Sequence, residues 1–320
     1  MCTAITYQTR DFYFGRTLDY EMAFGETVTI TPRNFRFSFR HGGELKTHYA
    51  ILGMAHVADG YPLYYDAVNE KGLCMAGLNF VGNACYGNPT ADKENVAQFE
   101  LIPWLLGQCE TVGEVRQKLH TLNVVGTPFS KRYPTAELHW LIADKSDAIT
   151  LECVEEGLRI YDNPIGVLTN NPPFDEQLRG LELYTHLTAK DPDYIGDPRA
   201  CSRGRGAIGL PGDLSSPSRF VRAVFTKQHA VSGDGEEDSV SQFFHMLGTV
   251  EQTRGCCEVE NGEYAITQYT ACCNADKGVY YYTTYGNRRV TAVNMHHEEL
   301  EGSRLISYPL INSEDIKRQN

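Results

Sequence analysis

The chain reads as an α+β protein. Short β-patterned runs follow one another in hairpins and a meander. Helical segments fall between them in groups, and no regular strand–helix–strand beat of a doubly wound sheet is present. Fourteen Phe, 19 Tyr and a 42% hydrophobic content supply a large core, and no linker or low-complexity stretch divides the 320 residues, so one domain over 1–320 is expected.

The elements justify this in order. Thr3–Gln8 and Phe12–Thr17 read as two strands joined by Thr9-Arg10-Asp11, an N-terminal hairpin with Cys2 at the leading edge. A segment around Trp104-Leu105-Leu106 reads as a helix that tolerates Pro103 in its first turn. Thr111–Leu122 follows with a capping-box start, Thr111 and Glu114, and apolar Val112, Val115, Leu119 and Leu122 at helical spacing. Glu137–Ala143, Ala148–Val154 and Leu158–Tyr161 form a meander around the turns Asp144–Asp147 and Glu155–Gly157. A second helical group comprises Asp175–Leu187, about Ser218 to Ala230, and Ser239–Leu247. Val279–Tyr285 and Val290–Met295 flank Gly286-Asn287, a further hairpin signal. Between helices of the second group, Asp191–Asp213 is rich in Gly, Pro, Arg and Asp; a loop of that length suits an assembly arm or a lid.

Several function classes are excluded. The formal net charge of −12 opposes a general nucleic-acid binder. No apolar run approaches the ~20 residues needed to span a bilayer, and Arg10, Asp11 and Asp19 interrupt the start, unlike an export signal. A cytoplasmic location without membrane partners is expected. The ten cysteines show no C-x-x-C spacing, so most are expected to be reduced, buried thiols, and no metal is expected. Gly204–Gly209 spells G-x-G-x-x-G without a preceding strand or a helix opening within it, so no dinucleotide or other cofactor is implied. Neither a G-x-S-x-G elbow nor an H-E-x-x-H zinc motif occurs, and adjacent His296-His297 are poor metal ligands.

Cys2 differs in kind from the other nine. Met1 precedes a small residue, the start from which an aminopeptidase removes methionine, so the mature chain would begin with Cys2. That residue then carries a thiol, with a reference pKa of about 8.5, and an α-amine at about 7.7–8.0. The amine can accept the thiol proton without any histidine, which is N-terminal nucleophile chemistry. The hairpin returns Arg16 and Asp19 toward this end: a guanidinium favours thiolate, and a carboxylate would hold the terminal amine.

Further pieces recur in order: Met1-Cys2-Thr3, Gly15-Arg16-Thr17-Leu18-Asp19, Pro32-Arg33-Asn34, Asn69-Glu70-Lys71-Gly72-Leu73, Gly77-Leu78-Asn79-Phe80, Gly166-Val167-Leu168-Thr169-Asn170, Gly209-Leu210-Pro211-Gly212-Asp213 and Ser218-Arg219-Phe220. Together they resemble, end to end, the choloylglycine hydrolase family of bile salt hydrolases and penicillin V acylases. The resemblance implies a four-layer αββα N-terminal nucleophile hydrolase fold, two stacked antiparallel sheets between helical layers. It implies Cys2 as nucleophile, Arg16 and Asp19 as its polar support, Asn170 with Asn79 or its backbone as oxyanion hole, and Arg219 completing the charge network.

In penicillin V acylases the Asn79 position looks like Tyr, whereas bile salt hydrolases resemble this chain. Hydrolysis of conjugated bile salts is therefore the leading expectation. Penicillin V or another N-acyl amide is the alternative substrate, and a catalytically silent sterol or acyl-amide binder is the reading from another class. An apolar pocket should accept the sterol, with Leu18, Tyr20, Met22, Phe24, Tyr61, Leu63 and Tyr65 as candidate contacts. The family further implies a homotetramer. The Asp191–Gly209 loop departs most from the family pattern, Cys201–Arg205 replacing a Gln-containing Gly-rich run.

Overall fold

The computed structural model describes residues 1–193 and 202–320; part of the Asp191–Asp213 loop, with Cys201, therefore lies outside the described residues. The chain begins as β1 (Cys2–Gln8) and β2 (Phe12–Tyr20) and continues as β3 (Thr27–Thr31). A small pair, β4 (Phe37–Phe39) and β5 (Gly43–Leu45), precedes β6 (Ile51–Ala58), β7 (Tyr61–Asn69) and β8 (Cys74–Asn79). After β9 (Glu94–Ala97) come α1 (Leu101–Leu106), α2 (Val112–Leu119) and β10 (Leu122–Val125). The meander is β11 (Leu138–Ala143), β12 (Ala148–Val154) and β13 (Gly157–Asp162), followed by the short β14 (Val167–Leu168). Three helices follow, α3 (Phe174–Leu181), α4 (Ser216–His229) and α5 (Glu236–Gly248). The chain closes with β15 (Ile266–Asn274), β16 (Val279–Thr284), β17 (Asn287–Asn294) and β18 (Ile306–Pro309).

Two sheets carry the fold. Six strands run β14-β1-β2-β15-β16-β17 and eight run β13-β12-β11-β8-β7-β6-β3-β18, with antiparallel pairing throughout both. The sheets face each other through β1, β2 and β8; α4 and α5 cover the six-stranded sheet and α1 covers the eight-stranded one. This is the four-layer α+β arrangement that the resemblance implies. Side-chain alternation makes it possible. On β8, Cys74, Ala76 and Leu78 enter the core between the sheets, while Met75 turns to the core under α1 and α2. On β11, Leu141 and Ala143 face the first core, Trp140 and Ile142 the second.

The local signals translate into structure with small shifts. Thr111 caps α2, its Oγ1 accepting from the Glu114 N–H, but the Glu114 carboxylate accepts from the Glu110 N–H, one residue further back than a capping box requires. Leu122 leaves the helix for β10, because Leu119 already ends the buried stripe. Asp175–Leu187 is a shorter helix than its pattern suggests, ending at Leu181 before a 3₁₀ turn. The last hairpin turns on Tyr285-Gly286, with Asn287 in the strand opposite Thr284. His296 and His297 sit in an exposed 3₁₀ turn after β17. Arg205–Ala207 is only a 3₁₀ turn, so the Gly204–Gly209 run opens no α-helix. Among the described residues every cysteine is free, no metal-binding group of His, Cys, Asp and Glu occurs, and no helix is long and apolar enough to cross a membrane.

Candidate active site

The register of the first hairpin assembles the centre. Cys2 lies opposite Leu18 and Ala4 opposite Arg16. Directly opposed residues project to the same face, so one face carries Cys2, Arg16, Leu18 and Tyr20. All four line a single cavity of about 480 Å³. The other face carries Thr3, Thr17 and Asp19. Arg16 and Asp19 are thus separated by the sheet itself: one belongs to the cavity, the other to the layer beneath it.

Beneath the cavity the contacts are dense. The Cys2 N–H donates to Asn170 Oδ1 at 2.7 Å, and Arg219 Nη2 donates to the same oxygen at 2.8 Å. Arg219 Nη1 donates to the Cys2 carbonyl and, at 2.7 Å, to Thr3 Oγ1. Asn170 Nδ2 then donates to the Asn79 carbonyl at 2.8 Å, which leaves its second hydrogen unassigned. Asn170 itself is anchored through its N–H to Ser216 Oγ and its carbonyl to Gln177 Nε2. Asp19 is fully buried, its carboxylate accepting from Thr267 Oγ1 at 2.6 Å and Thr17 Oγ1 at 3.2 Å. The terminal amine, here on Met1, donates to the Asp19 backbone carbonyl at 2.6 Å.

Arg16 is buried along the cavity wall. Its Nε donates to the Thr17 carbonyl, and Nη1 to the Gly77 carbonyl at 2.6 Å and the Tyr65 carbonyl at 3.3 Å. Nη2 is buried without a hydrogen-bond partner among the described residues. Burial opposes its charge, but Cys2, Tyr269, Asp66 and Asp19 around it hold the guanidinium pKa above its ordinary value. For Asp19 burial raises the pKa against the pull of Arg219 and the terminal amine, and for Arg219 burial lowers it against Asp19 and Cys2. Burial also raises Tyr20 and Tyr65, whose hydroxyls therefore keep their protons at neutral pH.

Of the expected contact residues, Leu18, Tyr20, Phe24, Leu63 and Tyr65 line the cavity. Met22 and Tyr61 do not. Met22 is 50% exposed beyond the end of β2. Tyr61 stands one layer behind the wall, against Phe37, Phe99 and Phe129. The sequence reading missed the opposite wall: Val81, Phe99, Ile102, Phe129, Tyr133 and Leu138, with His56 bonded to Tyr133. These residues come from segments whose convergence no local signal announces.

Replacing Arg219 with methionine removes the donor of three buried oxygens and the counter-charge of Asp19. We expect a loss of about 3–5 kcal/mol, read from the urea midpoint at unchanged m. An unshifted midpoint would show that these contacts add nothing to stability.

Known proteins resemble the chain over nearly its whole length. The bile salt hydrolase/transferase of Lactiplantibacillus plantarum is 55% identical over 314 residues, covering 97% of each chain. The protein of the same name from Clostridium perfringens is 36% identical over 317 residues, 96% of each. The crystal structure of the C2A mutant of conjugated bile acid hydrolase from Clostridium perfringens superposes with a TM-score of 0.93 at 35% identity, covering 100% of both chains. Penicillin V acylase from Agrobacterium tumefaciens, 20% identical with a TM-score of 0.77 over 96% of this chain and 90% of its own, shares the fold. A sequence model of the linear amide C–N hydrolases matches residues 2–308, and with it the chain belongs to the choloylglycine hydrolase family.

Proposed function

We propose that the protein hydrolyses the amide bond of glycine- or taurine-conjugated bile acids, with Cys2 as nucleophile. The observation that carries this reading is the position of Cys2, 2% exposed, in the wall of an apolar cavity and within one hydrogen bond of Asn170. A cavity of this volume suits a rigid sterol, and its walls are mostly aromatic and aliphatic.

Removal of Met1 turns the Cys2 nitrogen into a free amine still facing Asn170 Oδ1. That amine takes the thiol proton, and the thiolate attacks the amide carbon. The carbon–sulfur bond forms as the carbonyl becomes an oxyanion. Two donors suit it. One is the unassigned Nδ2 hydrogen of Asn170. The other is the Asn79 N–H: the Phe80 N–H points to Glu137 of the segment before β11, so alternation turns Asn79 toward the other edge, where the β7–β8 pairing has already ended at Asp66–Ala76. Losing one such donor typically costs ~2.7–4 kcal/mol of transition-state stabilisation. The amine then gives its proton to the departing nitrogen, releasing glycine or taurine and leaving a thioester that water cleaves. Arg16, charged and with a free Nη2, supports the thiolate. The family resemblance further implies a homotetramer.

Turnover of glycocholate, taurocholate and penicillin V by the processed protein tests the reading. We expect either bile salt to exceed penicillin V in kcat/KM by about 10-fold or more, the discrimination a few apolar contacts provide. Faster cleavage of penicillin V would move the substrate assignment to that amide. Tight binding of conjugate without release of amino acid would leave only a binder.

A further inference from the structure

His139 belongs to none of the groups described above, yet it is fully buried between the two segments that carry the asparagines. It lies on β11 opposite Leu78. Its ring stacks on Phe80, the residue after Asn79, with centroids 4.4 Å apart and planes 7° from parallel. Its Nε2 lies 2.9 Å from the carbonyl of Thr169, the residue before Asn170. Its Nδ1 lies 3.0 Å from Glu152 Oε1 on β12, an oxygen that also accepts the Phe174 N–H. Glu152 is fully buried, and its Oε2 has no partner among the described residues.

The chemistry of these contacts is restrictive. A carbonyl cannot donate, so Nε2 carries a hydrogen toward Thr169. The contact between Nδ1 and Oε1 then needs a second proton, on either atom. A buried carboxylate is costly without a partner, and the His139 imidazole supplies one. We infer that His139, fixed by Glu152, is a positioning residue that sets Asn79 and Asn170 against each other and thereby shapes the donor pair facing the oxyanion. It touches neither substrate nor Cys2; it acts through Phe80 and Thr169. This deepens the amide-hydrolase reading and rests on it for its kinetic consequence.

The test uses the processed, full-length protein. His139→Phe alone would leave the Glu152 carboxyl without its imidazole partner and risks misfolding, so the main variant is His139→Phe with Glu152→Gln, which removes the acid and keeps an oxygen that can accept the Phe174 N–H. Its crystal structure, compared with that of the parent, should show the Asn170 Nδ2–Asn79 carbonyl contact lengthened beyond hydrogen-bond distance. On glycocholate kcat should fall by about 30-fold, since small displacements of fixed groups are expensive to catalysis, with KM within about three-fold. Gln at position 139, which can still donate to the Thr169 carbonyl, should recover most of the loss. Asparagines that superpose on the parent would overturn the inference, as would an unchanged kcat. A parent that fails to cleave glycocholate would count against the functional reading alone; the crystallographic comparison would still decide the positioning role.

Discussion

Replacing Cys2 with alanine should leave a folded protein that cleaves conjugated bile salt at least ~10⁴-fold more slowly, as removal of a covalent nucleophile does elsewhere. The side chain is small, and its loss is structurally mild. The contacts that hold this end of β1 come from the Cys2 backbone, through Asn170 and Arg219, and alanine keeps both backbone groups. Deleting one buried sulfur leaves a modest void, so the thermal midpoint should move by only a few degrees. Activity collapses because, among the described residues, no other thiol lines the cavity. The measurement is amino-acid release from glycocholate, alongside a melting curve. Retained cleavage by the alanine variant would remove the thioester mechanism altogether.

A chain that keeps Met1, or carries any N-terminal extension, should lose at least ~10³-fold of its turnover, the range attributed to a positioned general base. The physical reason is the nitrogen. With Met1 attached, the nitrogen of Cys2 belongs to a peptide bond, whose lone pair is delocalised and not basic. Its one hydrogen is committed to Asn170 Oδ1. The amine has moved one residue away and donates to the Asp19 carbonyl instead. The fold should be unaffected, because the same contacts hold β1 with Met1 present. Mass spectrometry of the N-terminus paired with rate measurements decides it, and proteolytic removal of an engineered extension should restore activity. Equal turnover by blocked and free chains would require another base, and the sequence offers no obvious one on this face of the hairpin.

The hairpin and meander strands were legible because turn residues punctuate alternating apolar runs. The same rule would have found one more: Asp59 and Gly60, with φ of 50° and 74°, turn β6 into β7, and an Asp-Gly pair between such runs is a hairpin signal. Helix ends were less legible, because a helix stops where its buried stripe stops, as α2 does at Leu119.

The site divides in the same way. Sequence alone singles out Cys2 by its chain position and puts Arg16 on the returning strand, while it is the strand's running on to Tyr20 that sets Leu18 and Tyr20 on the same face. It likewise contains Asn79, Asn170 and Arg219 as members of a recurring set of motifs. Tertiary structure alone decides that Asn170 bonds to both Cys2 and Asn79, that the Asp19 carboxylate lies on the other face of the hairpin against Thr17 and Thr267, and that Phe99, Phe129 and Leu138 close the cavity while Met22 stands outside it. Local periodicity specifies which way a side chain points from its own strand. Which distant side chain it meets depends on how two sheets and their covering helices pack, a property of the whole chain that no short window contains.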